Sequence, residues 1–423
     1  MSDDLSIDSP DSFFLGGVID PIHGERTGDN VHLESRHLTT HGVIVGMTGS
    51  GKTGLGIGLL EEALLDGVPC LVIDPKGDMG NLALSFPDFA PSDFRPWIDE
   101  AEAVRNGEDP DTVASITAST WQSGLKSWHI EPERLRQLNR SAAVTIYTPG
   151  SSAGVPLDII GSLRHPGVDF GENAELLRDE IEGYVSSILT LADVDADPVS
   201  GREHILLSNI IEQAWAAGES LSIEQLIGEI PKPSRIRKLG VFDIDTFFPE
   251  KDRMALAMRL NALVASPSFR SWSTGVPLDI ETLLRDRSKP RAAVIYLAHL
   301  SDTERQFAVT LLLSKLVTWM RTQQGTSSLR ALVYMDEVFG FAPPSAEPPS
   351  KKPILTILKQ ARAFGVGMVL STQNPVDLDY KAMSNAGTWM VGRLQTERDK
   401  ARILEGLSSA AGDTDVSVFD ELI

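Results

Sequence analysis

Residues Gly46-Met47-Thr48-Gly49-Ser50-Gly51-Lys52-Thr53 decide the fold of this chain. They match the pattern G-x-x-x-x-G-K-[ST] at every position. The apolar run 42–46 before them is typical of a buried strand, and the run 53–65 after them predicts a helix. Glycines let such a loop curl so that backbone N–H groups point at a phosphate, and the helix adds the positive end of its dipole. The sequence therefore predicts a phosphate-binding loop between a strand and a helix.

This loop predicts a site for ATP and Mg²⁺. Lys52 is expected to reach the β- and γ-phosphate oxygens, and the hydroxyl group of Thr53 to join the Mg²⁺ shell. Asp74 ends the next predicted strand, 69–74, where it either reaches a metal-bound or attacking water or caps the turn that follows. The residues expected to bind the nucleotide are Gly46, Thr48, Gly49, Ser50, Gly51, Lys52, Thr53, Gly54 and Asp74.

A second motif, Asp336-Glu337, follows the apolar run 331–335. Ligands of open α/β sheets bind beyond the carboxyl ends of the strands. Asp336 is therefore expected to hold Mg²⁺, and Glu337 to orient and polarise the attacking water. Gln373 follows the next predicted strand, 367–371, and is expected near the γ-phosphate. The alternatives are an ordinary acidic strand end for the first pair and a turn-capping role for Gln373.

Phosphoryl transfer also requires positive charge on the γ-phosphate in the transition state. Arg362 and Arg393 are the candidates, because both are expected to flank the sheet. If subunits form a ring, one of these arginines would point at the nucleotide of the neighbouring subunit. The alternative for each is an ordinary surface arginine.

The order of strand, glycine turn, helix and strand predicts an α/β fold, a RecA-like P-loop core with a mostly parallel sheet and an inserted helical subdomain. A short hairpin is expected around residues 31–36. Gly54 and Gly58, four apart on one helix face, predict close packing there. The predicted segments are a lead-in at 1–40, the first part of the core at 41–160, the helical insertion at 161–285 and the second part of the core at 286–423.

The hexapeptide GVPLDI occurs twice, at residues 154–159 and 275–280. Both copies precede helix-like segments. Either they bracket the helical insertion, or the short echo is a coincidence.

Composition restricts the class of protein. Apolar residues make up 42% of the 423 residues and charged residues 23%, which is typical of a chain that buries a globular core. The single cysteine, Cys70, excludes a disulfide framework and fits a reducing cytoplasm. The acidic N-terminus lacks the regions of a signal peptide, and polar residues interrupt the longest apolar run, 307–320. We therefore expect a cytoplasmic protein without a membrane partner.

The formal charge of −21 opposes binding of a polyanion by the protein as a whole. Nucleic acid would have to meet a local basic surface, such as the channel of a ring with an acidic exterior. Residues 232–238 contain four cations and could contact phosphate backbones, although a solvated loop is the alternative.

Several motifs together resemble the HerA/FtsK superfamily of ring-forming, DNA-pumping ATPases, and its HerA-like branch in particular. They are GMTGSGKT with IDPKGD, a long helical insertion before YMDE, and then QARAFGVGMVLSTQNP and a strand that ends in GR and continues as QTERDKARI. The resemblance covers roughly residues 40–407. It implies that Lys52, Thr53, Asp336, Glu337 and Gln373 are the nucleotide residues and that Arg362 acts in trans. It also implies a homohexamer that threads double-stranded DNA, often beside a nuclease. HerA itself begins with a β-barrel domain, for which the lead-in is too short.

Two functions follow as hypotheses. The first is an ATP-driven ring motor that translocates on or unwinds double-stranded DNA, working with a nuclease or another effector protein. The second is an ATP-gated oligomeric scaffold that activates a partner, for example a phage-defence effector, without moving DNA. A small-molecule kinase suits the phosphate-binding loop but not the distant Asp336-Glu337 pair.

Overall fold

The computed structural model describes residues 9–394 and 396–411. The acidic N-terminal residues 1–8, Gln395 of the QTERDKARI motif and the C-terminal residues 412–423 lie outside the described residues. The chain begins with an antiparallel hairpin of β1 (Ser12–Ile19) and β2 (Arg26–Glu34). The hairpin predicted around residues 31–36 thus exists, but the prediction placed it too late, because residues 35–40 form a 3₁₀ turn.

The core opens with the predicted sequence of elements. These are β3 (Gly42–Val45), α1 (Lys52–Leu65) and β4 (Cys70–Asp74). The segment predicted to leave the sheet contributes α2 (Pro91–Phe94), α3 (Glu100–Arg105), α4 (Pro110–Ser127) and α5 (Pro132–Ser141). The chain then returns to the sheet as β5 (Ala143–Tyr147).

The middle of the chain is mainly helical. Its elements are β6 (Leu157–Asp158), α6 (Ala174–Leu191), α7 (Arg202–Ala216), α8 (Ile223–Glu229), β7 (Lys238–Leu239), β8 (Phe242–Asp243), α9 (Ile244–Phe247), α10 (Glu250–Ala265), β9 (Val276–Pro277), α11 (Ile280–Leu284) and β10 (Arg285–Asp286). These elements agree with the helical character expected of the insertion, while its limits as a domain stay a prediction.

The last third of the chain alternates strands and helices. Its elements are β11 (Lys289–Tyr296), α12 (Asp302–Arg321), β12 (Ala331–Met335), α13 (Lys351–Gln360), β13 (Val366–Thr372), α14 (Tyr380–Ser384), β14 (Thr388–Val391) and α15 (Glu397–Ala411). A Ser301–Glu304 capping box begins α12. This helix holds the longest apolar run, and among the described residues no helix meets the length and apolarity that a membrane span requires.

One sheet organises the molecule, with strand order β10-β11-β4-β12-β13-β3-β14 and β5 paired to β11. All its pairs are parallel except β10 with β11. The fold is therefore the predicted α/β class with a mostly parallel sheet. We call the side where β3, β13, β12 and β4 end the carboxyl end of the sheet, and the opposite side its amino end.

Both faces of the sheet are buried, which explains why its strands are continuous apolar runs. Neighbouring residues of β3 point to opposite faces: Ile44 packs with α1, whereas Val43 and Val45 pack with the core that includes α6 and α12. Cys70 lies in the core beside α1 as a buried free thiol.

The two GVPLDI copies pair with each other. Leu157 and Asp158 of β6 align with Val276 and Pro277 of β9 in a two-stranded parallel sheet. In each copy the aspartate accepts a hydrogen bond from the backbone N–H three residues later, 2.7 Å for Asp158 and 2.8 Å for Asp279. Both copies thus share one local feature, an aspartate that caps the segment after it, and their role as the limits of the insertion stays a prediction.

The close packing predicted for Gly54 and Gly58 of α1 is wrong, since a Cβ atom at either position would meet no atom within 4 Å. The tight contact is at Gly56, where a Cβ atom would lie 2.3 Å from the Tyr334 hydroxyl oxygen of β12. The spacing of glycines in the sequence cannot predict this contact, because it depends on which strand lies under the helix. Gly56 thus lets the helix after the phosphate-binding loop approach β12 directly.

Replacing Gly56 by alanine is expected to lower the free energy of unfolding by about 1–3 kcal/mol, because the added methyl group overlaps the fully buried Tyr334 ring. Gly58→Ala is the matched control on the same helix. It should leave stability unchanged or raise it by up to about 1 kcal/mol, since alanine favours the helix and meets open space. Urea denaturation measures both variants, and equal stabilities would contradict the proposed contact.

Candidate nucleotide site

The predicted phosphate-binding loop connects β3 to α1 at the carboxyl end of the sheet. Gly49 and Gly51 have positive φ angles of 79° and 89°, a left-handed conformation that favours glycine. Gly46 closes the base of the loop, because a Cβ atom there would lie 2.4 Å from the Ser50 hydroxyl oxygen. Loops of this kind turn successive N–H groups into one anion-binding concavity. The local backbone therefore fits the predicted contact with phosphate.

Lys52, the first residue of α1, folds back over this loop. Its ammonium group donates to the carbonyl oxygen of Gly46 and to that of Met47 at 3.1 Å. Burial lowers the pKa of Lys52, an effect opposed by the charges of Glu337 and Asp336. Lys52 is thus within electrostatic range of the predicted Asp336-Glu337 motif.

Asp336 and Glu337 follow β12, two strands away from β3. Asp336 is only 4% exposed, and burial raises the pKa of its carboxyl group, with the positive charge of Lys76 opposing this. Glu337 has a φ angle of +52°, which is rare for a residue with a side chain and costs of order 1–3 kcal/mol. The strand end thus holds one buried carboxylate and one strained residue side by side.

The carboxylate of Glu337 accepts from three donors. Lys76 Nζ lies 2.7 Å from Oε2, while the Thr372 hydroxyl group and the Gln373 backbone N–H lie 3.2 Å and 3.4 Å from Oε1. The donors come from the ends of β4 and β13, the neighbours of β12. The side chain is therefore held from both sides.

Gln373 joins the two predicted motifs. Its side-chain Oε1 accepts a hydrogen bond of 2.8 Å from the Thr48 hydroxyl group, and its backbone N–H reaches Glu337. It follows β13, which pairs with β3 on one side and β12 on the other. One residue thus contacts both the phosphate-binding loop and the acidic motif.

Asp74 is engaged with its own turn. Its carboxylate accepts from the N–H groups of Gly77, Asp78 and Met79 at 2.6, 3.2 and 3.1 Å. Burial raises its pKa to about 6, although these three hydrogen bonds act in the opposite direction. Of the two roles that the sequence left open, turn capping is the one with contacts in this structure. Contact with a nucleotide or water stays a prediction.

The two candidate arginines lie at opposite ends of the sheet. Arg393 follows β14 at the carboxyl end, where its backbone oxygen accepts from Met47 N–H at 2.8 Å. Arg362 lies in the 3₁₀ turn Ala361–Phe364, just before β13 begins, and its charge acts on His41 at the start of β3. Both side chains are exposed. Both arginines thus lie next to the sheet as expected, but only Arg393 lies on the side of the phosphate-binding loop, and the role of each in hydrolysis stays a prediction.

The donor set fits Mg²⁺ held mainly by nucleotide oxygens. Asp336 supplies a buried carboxylate, and Thr53 lies half-buried in the first turn of α1. Within residues 9–394 and 396–411, no group of three or more His, Cys, Asp or Glu side chains is arranged to hold a metal. Mg²⁺ commonly takes one or two protein oxygens plus phosphates and water, so this sparse set suits it. The roles of Gly54, Thr53 and Asp336 in binding stay predictions.

Sequence reasoning missed Lys76, which lies within IDPKGD. The signal was present, because a lysine two residues after a strand end lies on the same side of the sheet as the residues that end the neighbouring strands. Only the order of the strands shows that β4 lies directly beside β12.

Comparison with known proteins agrees with this fold. Residues 23–144 match the family model described as Helicase HerA, central domain. The structure of VirB4 of Thermoanaerobacter pseudethanolicus is similar at a TM-score of 0.53 and 12% identity, over 99% of this chain and 92% of that one. No curated protein matches the sequence.

Weaker likenesses concern the bacterial conjugative coupling protein TrwB. Its trigonal form in complex with sulphate gives a TM-score of 0.47 at 12% identity, over 90% of this chain and 76% of that one. Its complex with ADP and Mg²⁺ gives 0.44 at 11% identity, over 89% and 73%. Both scores are too low to support an argument. Residues 23–144 are thus similar to the HerA central domain, and the chain shares its overall fold with VirB4 around an intact phosphate-binding motif.

Proposed function

We propose that this chain is an ATP-hydrolysing ring motor of the HerA type that translocates on or unwinds double-stranded DNA. The observation that carries the proposal is the contact chain from Thr48 through Gln373 to Glu337. It connects the phosphate-binding loop to the carboxylate best placed to act on a water molecule. A protein that only binds nucleotide has no need of this second half of the site.

Each residue has a separable role in hydrolysis. The loop N–H groups and Lys52 bind the β- and γ-phosphates, while Thr53 and Asp336 would hold Mg²⁺, which neutralises charge on the phosphate oxygens. Glu337 orients the attacking water through a carboxylate oxygen. Gln373 couples the phosphate-binding loop to Glu337, since it forms hydrogen bonds with both. Catalysis then comes from positioning and electrostatics rather than from covalent chemistry.

The positions of the two arginines favour a ring. Arg393 lies on the same side as the phosphate-binding loop and can act within its own chain. Arg362 lies at the amino end, so it could reach a γ-phosphate only in a neighbouring subunit. We therefore assign the trans role to Arg362 within a homohexamer.

Double-stranded DNA is the proposed substrate because of the family match to a helicase domain. The basic segment 232–238 adds little support. Lys232 lies 3.5 Å from Glu250, and Arg235 lies 2.6 Å from Glu219, so two of its four cations are already paired. We also propose that the motor works with a partner protein, either a nuclease or another effector.

The wild-type protein is expected to hydrolyse ATP, with turnover stimulated by double-stranded DNA. Lys52→Ala should abolish nucleotide binding, whereas Glu337→Gln should retain binding and lower kcat by at least about a hundredfold, because the amide is a poor water-orienting group. Phosphate release and binding of a fluorescent ATP analogue measure the two effects. Lys126→Ala, an exposed lysine of α4, is the control.

Hexameric protein whose turnover responds to neither duplex nor single-stranded DNA would refute the motor. If ATP then still drives assembly and activation of a partner protein, the scaffold hypothesis replaces it. Equal turnover by wild type and Glu337→Gln would remove the assigned water-orienting role.

Arg362→Ala is expected to bind ATP normally but to lose most of its turnover. Mixing it with Lys52→Ala protein should restore part of the activity, because a mixed ring contains interfaces with an intact loop on one side and an intact Arg362 on the other. Turnover is measured across mixing ratios at constant total subunit concentration. The trans assignment fails if Arg362→Ala hydrolyses ATP like wild type and mixing has no effect.

A further inference from the structure

The turn after β4 aims one lysine at the predicted catalytic carboxylate. Asp74 fixes this turn through its three backbone hydrogen bonds. Gly77 has a φ angle of 90°, and a Cβ atom there would lie 2.6 Å from the Tyr296 ring. The backbone conformation therefore depends on Asp74 and Gly77 rather than on the Lys76 side chain. The Lys76 side chain is therefore available for a contact outside the turn.

The ammonium group of Lys76 forms an ion pair with the Glu337 carboxylate. Its Nζ atom lies 2.7 Å from Oε2, with side-chain exposures of 37% for Lys76 and 15% for Glu337. The ammonium group of Lys76 is thus partly in contact with solvent, which weakens the attraction, and solvent-exposed ion pairs contribute about 0–1 kcal/mol to stability. The fold therefore gains little from this pair, which favours a role in the site over a role in stability.

One oxygen of the Glu337 carboxylate keeps capacity to accept a further hydrogen bond, such as one from a water molecule. An ionised carboxylate has about four acceptor positions on its two oxygens. Within the described part of the chain, Oε1 accepts hydrogen bonds from Thr372 and Gln373, whereas Oε2 accepts one only from Lys76. Three donors thus fix the orientation of the carboxylate, and Oε2 keeps acceptor capacity. Because Glu337 also has a strained backbone, its orientation depends on such contacts.

The positive charge of Lys76 also acts on two other residues of the site. Its positive charge is among the influences that lower the pKa of Lys52, after burial, and it lowers the pKa of Asp336 against the larger effect of burial. A lysine that interacts with both of these residues lies inside the site rather than at its rim.

We propose that Lys76 is a positioning residue for ATP hydrolysis, whose ammonium group fixes the Glu337 carboxylate in the orientation that holds the attacking water. This inference rests on the proposed ATPase function. It differs from direct phosphate binding, in which removal of Lys76 would weaken nucleotide affinity. It also differs from an inhibitory ion pair that holds Glu337 in an inactive orientation, in which case removal of Lys76 would accelerate turnover.

The test compares Lys76→Met, Lys76→Arg and the exposed control Lys126→Met in the full chain. Lys76→Met should lower kcat about ten- to a hundredfold, as expected when a catalytic group is misplaced by about 1 Å. KM and the Kd of a fluorescent ATP analogue should stay within about threefold of wild type, and Tm should not change. Lys76→Arg should recover part of kcat, and Lys126→Met should behave as wild type.

A double-mutant cycle tests whether Lys76 acts through Glu337. In single-turnover assays with labelled ATP, adding Lys76→Met to Glu337→Gln should cause no further loss, because the carboxylate that the lysine orients is already gone. Multiplicative losses would overturn the inference, as would an unchanged or raised kcat, or a loss confined to nucleotide affinity. An active wild type with an unaffected Lys76→Met overturns only this inference. A wild type without turnover overturns the proposed function and this inference together.

Discussion

The parallel hydrogen-bond ladder of β3, β13, β12 and β4 is the constraint on which the candidate site depends. Val45 aligns with Thr372, Leu370 with Met335 and Met335 with Ile73, so these strands end within a residue or two of one another. The residues that follow must therefore emerge together at the carboxyl end of the sheet. Buried apolar cores on both faces hold the ladder, and a shift of register in one strand would separate the phosphate-binding loop from the acidic motif.

Local sequence signals predicted the pieces of this arrangement but not their order. The phosphate-binding loop, the buried strands and the placement of acidic residues at strand ends follow from short patterns, and the α/β class was correct. The strand β13 was predicted, but its position between β3 and β12 could not be, because pairing is decided by packing between distant segments. For the same reason Lys76 was missed, and the Gly54 and Gly58 interpretation failed where Gly56 makes the contact. The sequence also could not tell at which end of the sheet each candidate arginine lies.

The charges at the carboxyl end of the sheet are arranged for a cation and an anion together. Burial raises the pKa values of Asp74 and Asp336, because ionising either carboxyl group costs more free energy in the folded protein than in water. Lys52 and Lys76 offset part of this cost at Asp336, and backbone hydrogen bonds offset part of it at Asp74. A divalent cation bound beside Asp336 would offset more of it, while phosphate oxygens would give Lys52 a stronger acceptor than the loop carbonyls it contacts. Under the proposed function, a metal–nucleotide complex would therefore satisfy the carboxylate and the lysine at the same time.

The separation of Arg362 from the phosphate-binding loop has a consequence for assembly. The two features lie at opposite ends of one rigid sheet, so no side-chain movement within a chain can bring them together. If hydrolysis uses Arg362, the carboxyl end of one subunit must face the amino end of the next. Such a contact joins two different surfaces, and repeating it produces either a closed ring or an open helix. Closure would then complete every site, because in an open assembly the nucleotide at one end would lack its arginine while the others would have theirs.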